Sequence, residues 1–267
     1  MRTLITGAAS GIGLALSREF AARGCEVVLV DINKKAVTKA AIDLRSAGAQ
    51  ATAYTCDVSD HQAVDALAER VAKESGPVDI LVNNAGIAFM KEFKDMALEE
   101  WERVMGINLW GPIYMIRAFL PSMLARRSGH IVNVSSMQAY FIPPTWSAYG
   151  VTKYGVNGLS EALRYELRPY NIKVTCVYPA VINTPFYEAL PSDIWVLRAT
   201  KILIRRIVGT PPERLARLIV EGVEKGKARI VHHPVGKLVY FLRPLVTPIL
   251  DLTQRIVARL VCERPST

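Results

Sequence analysis

The chain has 267 residues, 51% of them hydrophobic, and carries 33 Lys+Arg against 24 Asp+Glu, so it can bury a full core within one domain. Its four cysteines, Cys25, Cys56, Cys176 and Cys262, stand far apart without CxxC or Cys/His spacing, which argues against a metal site and a disulfide framework and predicts a reducing, cytoplasmic setting. The net charge of +9 is unevenly placed: residues 1–189 hold 19 Lys+Arg against 18 Asp+Glu, and residues 190–267 hold 14 against 6.

The start, "MRTLITGAASGIG", runs straight into an apolar strand and a glycine loop, a pattern from which no secretory leader is expected. A helix through Ala22 follows, then strand "EVVLVD", a helix through Ala47, strand "ATAYTCDV" and a helix through Glu74. After these come "VDILVNNAG", "HIVNVSS" and "IKVTCVYP". Strand runs that are apolar almost throughout, separated by helices, predict a parallel sheet covered on both faces. The expected fold is a doubly wound α/β domain of the Rossmann type, with residues 1–190 as its core and 191–267 as lid, last strand and C-terminal extension.

"TGAASGIG", Thr6 to Gly13, sits between the first strand and its helix. Glycines there permit a tight turn and let backbone N–H groups and the helix N-terminus approach a pyrophosphate, which selects Gly7, Ser10, Gly11, Ile12 and Gly13 as cofactor contacts. Asp31 closes the second strand 18 residues beyond Gly13, where a carboxylate accepts hydrogen bonds from an adenosine ribose and repels a 2′-phosphate. The expected cofactor is therefore NAD rather than NADP. Lys34 and Lys35 soften that preference unless they belong to an exposed first helical turn.

"SAYGVTKYGV", Ser147 to Val156, places Tyr149 and Lys153 four residues apart, on one face of a helix, while Tyr154 points about 100° away. Tyr149 is thus the tyrosine that shares a pocket with the lysine. A phenol titrates near pH 10 when unperturbed, and an adjacent ammonium favours its anion, so the pair suits proton exchange with an alcohol or carbonyl.

Read together, these residues resemble the short-chain dehydrogenase/reductase family. The loop is spaced Thr-Gly-x-x-x-Gly-x-Gly. "NNAG" at Asn83 to Gly86, Asn108, "VNVSS" at Val132 to Ser136 and Tyr149-x-x-x-Lys153 follow in the family's order, over roughly residues 2–185. The resemblance implies a catalytic Asn108, Ser136, Tyr149 and Lys153. Ser136 would hold the substrate oxygen, Lys153 would bond the nicotinamide ribose, and Asn108 would hold a water that passes protons towards Lys153. It also implies that Asp57 and Val58 meet the adenine and that Asn83, Ala85 and Gly86 support the ribose and central strand. Pro179 and Thr184 then belong to the loop that meets the nicotinamide, with Ala180 where the family usually has glycine. A homodimer or homotetramer is the family's common assembly.

"MQAYFIPPTW", Met137 to Trp146, and "TPFYEALPSDIWVL", from Thr184, are rich in aromatic and aliphatic side chains and hold no clamp for a carboxylate or phosphate. They predict an apolar pocket and a lipophilic secondary alcohol or ketone: a steroid, a retinoid-like or a long-chain compound. Beyond Pro185, Thr210-Pro211-Pro212-Glu213 reads as a capping box opening a helix up to Gly226, "ARIV" as a last strand, and Ile249 to Val261 as an amphipathic helix. The basic, apolar tail carries no zinc-finger, helix-turn-helix or aromatic RNA-binding pattern, so nucleic acid is not an expected partner. "KLVYFLRPLVTPILDL" is interrupted by Arg243, Pro244, Pro248 and Asp251 and is too short to span a bilayer. Lying on an anionic membrane, closing the pocket and forming an oligomer interface stand as three readings of this tail, beside a merely solvated face for its charge. The rival to an enzyme is a non-catalytic NAD-binding protein that such a tail recruits to a membrane or partner.

Overall fold

The computed structural model describes residues 1–188, 209–232 and 234–261. Among them seven strands form one parallel sheet in the order β3-β2-β1-β4-β5-β6-β7. The strands are β1 (Arg2–Thr6), β2 (Glu26–Asp31), β3 (Ala51–Thr55), β4 (Ile80–Asn83), β5 (Gly129–Val134), β6 (Ile172–Tyr178) and β7 (Arg229–Val231). Pairing is in register from Arg2 opposite Glu26 through to Tyr178 opposite Val231. The chain order reverses direction between β1 and β4, and this switch opens a crevice at the carboxyl ends of the strands.

Both faces of the sheet are covered, as its apolar strands require. On one face α1 (Gly11–Ala22), α2 (Lys34–Ser46) and α8 (Pro212–Glu224) pack over Ile5, Val27, Leu29 and Val82; on the other, α3 (His61–Glu74) and α5 (Gly111–Arg126) cover Leu4, Val28, Leu81 and Ile131. α6 (Ser147–Glu166) adds Leu159 and Leu163 to that second layer. The helices follow from local sequence. In α2, Val37, Ala40, Ala41 and Leu44 form a buried stripe, and Asn33 Oδ1 caps the first turn by accepting from the Ala36 N–H at 3.1 Å. Asp60 caps α3 by accepting from Gln62 and Ala63. Lys34 and Lys35 are exposed in the first turn of α2.

Two elements depart from expectation. Thr210 does not cap α8: its N–H donates to Val181 O and its carbonyl accepts from Asn183, forming a bridge with Ile182, so the helix begins at Pro212 without a side-chain cap. Backbone pairing with the loop after β6 outweighed a local cap. The last helix, α9, spans Pro234–Val261 rather than starting at Ile249, with a break at Leu242. The lid stretch from residue 189 and the cluster Arg198, Lys201, Arg205 and Arg206 fall outside the described residues, as does Cys262.

One buried titratable group bears on stability. His130, on β5, is 7% exposed, and its Nε2 lies 2.7 Å from Thr175 Oγ1. Thr175 donates its own proton to Lys227 O at 2.6 Å, so the ring is the donor and carries its proton on Nε2. Burial, then the charge of Lys173, pushes the His130 pKa down to about 4. The unfolded chain, with a histidine near 6.5, binds the extra proton first, so stability falls as pH drops from about 6.5 towards 4, by at most about 3 kcal/mol. Urea unfolding of the natural protein against His130→Gln checks this: the gap between their midpoints should change with pH across that window, and a constant gap would contradict the assignment.

Candidate active site

The loops after β1, β2, β3, β4, β5 and β6 converge on a cavity of about 570 Å³ at the crevice, within the usual size range of small-molecule sites. Gly7, Ser10, Gly11, Ile12, Asp31, Asp57, Val58, Ala85, Gly86, Ser136, Tyr149, Lys153, Pro179 and Thr184 all line it. Three expected residues do not. Gly13 lies behind the glycine loop, and Asn83 and Asn108 are held in buried polar contacts beside the cavity.

At the β1 end, Gly7 (φ +64°) and Gly11 (φ +53°) adopt conformations that glycine alone takes readily. A Cβ on Gly13 would come within 2.1 Å of Gly7 O, so this glycine lets the helix press against the loop. Ser10 precedes α1 without capping it, in contrast to Asn33 and Asp60, which leaves first-turn N–H groups of α1 for another acceptor. Asp31 ties the two neighbouring turns together: Oδ2 accepts from the Ala9 N–H and Oδ1 from the Asn33 N–H, both at 3.0 Å. Asp57 accepts from Ser59 through one oxygen.

Sequence reasoning passed over Asn84 and Thr6. Asn84 Nδ2 donates to Thr6 O at 2.9 Å and Gly7 O at 3.3 Å, while Thr6 Oγ1 accepts from the N–H groups of Asn84 and Ala85. This clamp fixes the glycine loop against the end of β4. The second Asn of "NNAG" was the available signal. Asn83 instead points into the interior, donating to Asn133 Oδ1 at 2.9 Å; Asn133 donates to Ser160, joining β4, β5 and α6.

α6 carries Tyr149 and Lys153 on one face, with the ammonium 5.3 Å from the centre of the phenol ring. Lys153 is 4% exposed, and Nζ donates to Val134 O at 3.0 Å, which leaves two N–H bonds of the ammonium for a ligand. Burial pushes its pKa down to about 8, so at neutral pH the ammonium is still mostly charged. Tyr154 is not in the lining. Ser136 faces the cavity, its Oγ accepting from the Gln138 N–H at 3.1 Å with its own proton available to a ligand. The neighbouring Ser135 donates to Lys153 O at 2.9 Å and so braces the helix.

Asn108 sits on a π-turn, Gly106–Trp110, between α4 (Leu98–Met105) and α5. Its Oδ1 accepts from Ile87 N at 2.9 Å, and Nδ2 donates to Ile87 O at 2.8 Å and Thr152 Oγ1 at 3.3 Å. Both amide N–H bonds are thereby used to fasten the segment after β4 to α6. Thr152 in turn donates to Tyr149 O at 2.7 Å.

Above Tyr149 the walls are apolar. Its ring meets Trp146 at 5.5 Å and Phe186 at 5.8 Å between centroids, and Phe89, Ala180 and Ile182 add apolar surface elsewhere in the lining. Of the stretch Met137 to Trp146, only Gln138 and Trp146 line the cavity. Met137, Ala139 and Tyr140 turn inward, with Tyr140 packed on Tyr178 at 4.8 Å, because the short 3₁₀ turn after Ser136 directs them at β6.

The comparisons agree with this geometry. The family model described as short chain dehydrogenase matches residues 2–195. The 1-deoxy-11-beta-hydroxypentalenate dehydrogenase of Streptomyces exfoliatus is 35% identical over 192 residues, covering 71% of this chain and 70% of its own. Among solved structures, a short-chain dehydrogenase/reductase from Burkholderia phymatum in complex with NAD superimposes with a TM-score of 0.83, at 28% identity over 95% of both chains. A metagenomic short-chain oxidoreductase in complex with NADP gives 0.73, at 28% identity over 88% of this chain and 97% of that one. With its parallel sheet, glycine loop and paired tyrosine and lysine, the chain belongs to the short-chain dehydrogenase family of oxidoreductases.

Proposed function

We propose that this oxidoreductase uses NAD(H) to interconvert a secondary alcohol and a ketone on a lipophilic frame. The observation that carries the reading is the convergence of Ser136, Tyr149 and the buried Lys153 on one cavity whose other end is a glycine cradle.

The residues present fit a dinucleotide. Gly7, Gly11 and the uncapped start of α1 suit a pyrophosphate, Asp31 a ribose diol, Asp57 and Val58 an adenine edge, and the two unused N–H bonds of Lys153 a second ribose. Bound nicotinamide supplies the hydride acceptor or donor. Ser136 Oγ–H donates to the substrate oxygen and orients it towards Tyr149. Tyr149 takes the hydroxyl proton in oxidation and returns one to the carbonyl in reduction. Lys153 stabilises the negative charge left on the phenol oxygen, and its burial strengthens that effect by excluding water. Asn108, with both amide N–H bonds committed to Ile87 and Thr152 and its Oδ1 accepting from the Ile87 N–H, holds the segment after β4 against α6. The rings of Trp146, Phe186 and Phe89 favour an apolar substrate, and the identity of a hydroxypentalenate dehydrogenase as a relative supports an alcohol on a carbon skeleton.

The test is NADH formation across steroid, retinoid-like and long-chain secondary alcohols, with NADP⁺ in parallel. NAD⁺ should be the better cofactor. Asp31→Asn removes the charge and leaves an acceptor for only one of the two N–H groups it holds, a disturbance common to both cofactors, so the NADP⁺/NAD⁺ ratio of kcat/KM isolates the charge and should move upwards by about tenfold. A natural protein that already prefers NADP⁺, or a ratio indifferent to the substitution, would overturn the assignment of Asp31.

A further inference from the structure

The last helix carries its apolar residues on the side away from the protein. From Leu245 onwards α9 packs inward through Leu250, which joins the cluster of Met137, Tyr140 and Tyr178, and through Gln254 and Ala258. Leu245, Ile249, Leu252 and Ile256 are 74%, 64%, 60% and 51% exposed. At about 100° per residue these four fall within an arc of roughly 60°, and Leu250, Gln254 and Ala258 lie on the other side of the axis. Burial of an apolar stripe is the usual reason for an amphipathic helix, so a stripe of four aliphatic side chains in solvent calls for an occupant.

Charge names it. α9 contains Lys237, Arg243, Arg255 and Arg259 against one acid, Asp251, and the whole of residues 190–267 carries 14 Lys+Arg against 6 Asp+Glu. On the helical projection Arg259 and then Arg255 follow one edge of the stripe, with Asp251 beyond them at i,i+4 spacing from Arg255, so the cations lie nearer the stripe than the acid does. A second copy meeting this stripe would bring two basic helices together, whereas an anionic lipid surface satisfies the aliphatic residues and the cations at once. No helix among the described residues is long and apolar enough to cross a membrane.

We propose that α9 is a monotopic docking helix, lying on an anionic bilayer with Leu245, Ile249, Leu252 and Ile256 in the interfacial zone. The docking has a consequence for the active site, and this part rests on the hydride-transfer reading above. Between α9 and the segment Ile142–Ser147 runs an open, largely apolar groove of about 420 Å³, lined by Phe93, Pro143, Pro144, Gln254, Arg255 and Ala258 among others. That segment also carries Trp146 into the active-site cavity. A docked α9 therefore holds the apolar wall of the active site about one helix diameter from the lipid surface, where a lipophilic alcohol or ketone is concentrated.

The experiment is co-sedimentation of the full chain, without cofactor or substrate, with phosphatidylcholine vesicles and with vesicles containing phosphatidylglycerol. The natural protein should partition onto the anionic vesicles and far less onto the neutral ones. Ile249→Glu, at a solvent-facing position the fold does not need, should weaken partitioning by about tenfold or more. Arg255→Glu with Arg259→Glu should erase the preference for anionic lipid. Equal sedimentation with and without vesicles would overturn the proposal. So would a natural protein that elutes as a dimer and an Ile249→Glu variant that elutes as a monomer without vesicle binding, which would assign the stripe to a second copy. Because partitioning is read without turnover, a negative result leaves the hydride-transfer reading standing, and failure of that reading leaves the docking measurable.

Discussion

Replacing Tyr149 by phenylalanine should lower kcat by about 10²–10⁴-fold while leaving dinucleotide binding and thermal stability close to those of the natural protein. The substitution removes one oxygen atom and keeps the ring, so the contacts with Trp146 and Phe186 and the position over the Lys153 ammonium all survive. What is lost is the only phenol that lines the cavity among the described residues. Tyr154→Phe is the paired control: that ring is on α6 too, yet outside the cavity, and its loss should change kcat by less than about twofold. Activity that persists in the Tyr149→Phe protein would remove the proton-transfer role from this residue. Activity lost equally in both variants would indicate damage to α6 rather than to chemistry.

The parts of this site legible in the sequence are those whose geometry is local. Tyr149 and Lys153 share a helical face by spacing alone, the glycine loop is contiguous, and Asp31 ends a strand whose alternation with helices is plain in the sequence. The parts that escaped depend on contacts across the fold. The Asn84 clamp on Thr6 spans 78 residues, and the Asn108 bonds to Ile87 and Thr152 span 21 and 44. No local pattern distinguishes Asn83 from Asn84 as the residue that faces the loop; the end of β4 decides it. Likewise the run Met137 to Trp146 is uniformly apolar, and only the 3₁₀ turn after Ser136 sorts the residues that meet β6 from those that meet the cavity. The helical period of the C-terminal segment was readable, but which of its faces turns outward was not, since the periodicity is the same for both.

Gly13→Ala should cost the protein both stability and cofactor affinity. The new Cβ would stand 2.1 Å from Gly7 O and 2.7 Å from Asn84 Nδ2. Neither neighbour can retreat cheaply. Gly7 is fixed at φ +64° and its carbonyl accepts from Asn84, which also holds Thr6, whose hydroxyl accepts from two backbone N–H groups of the next loop. The strain has to open the interface between α1 and the glycine loop, at a cost of about 3 kcal/mol on the scale of overpacked cores. For a domain of this size that corresponds to a Tm lower by roughly 6–12 °C. The displaced loop is also the proposed pyrophosphate cradle, and on that reading the dissociation constant for NAD should rise by at least about tenfold. Gly158→Ala supplies the opposite sign. It lies within α6 with nothing near its Cβ position, and alanine there should raise stability by about 0.5–1 kcal/mol through helix propensity alone. Thermal unfolding and NAD titration of the two variants separate the explanations. If Gly158→Ala loses stability too, the space beside Gly158 is needed by a neighbouring group; if Gly13→Ala keeps its Tm and its NAD affinity, close approach of α1 to the loop is not what positions the cofactor.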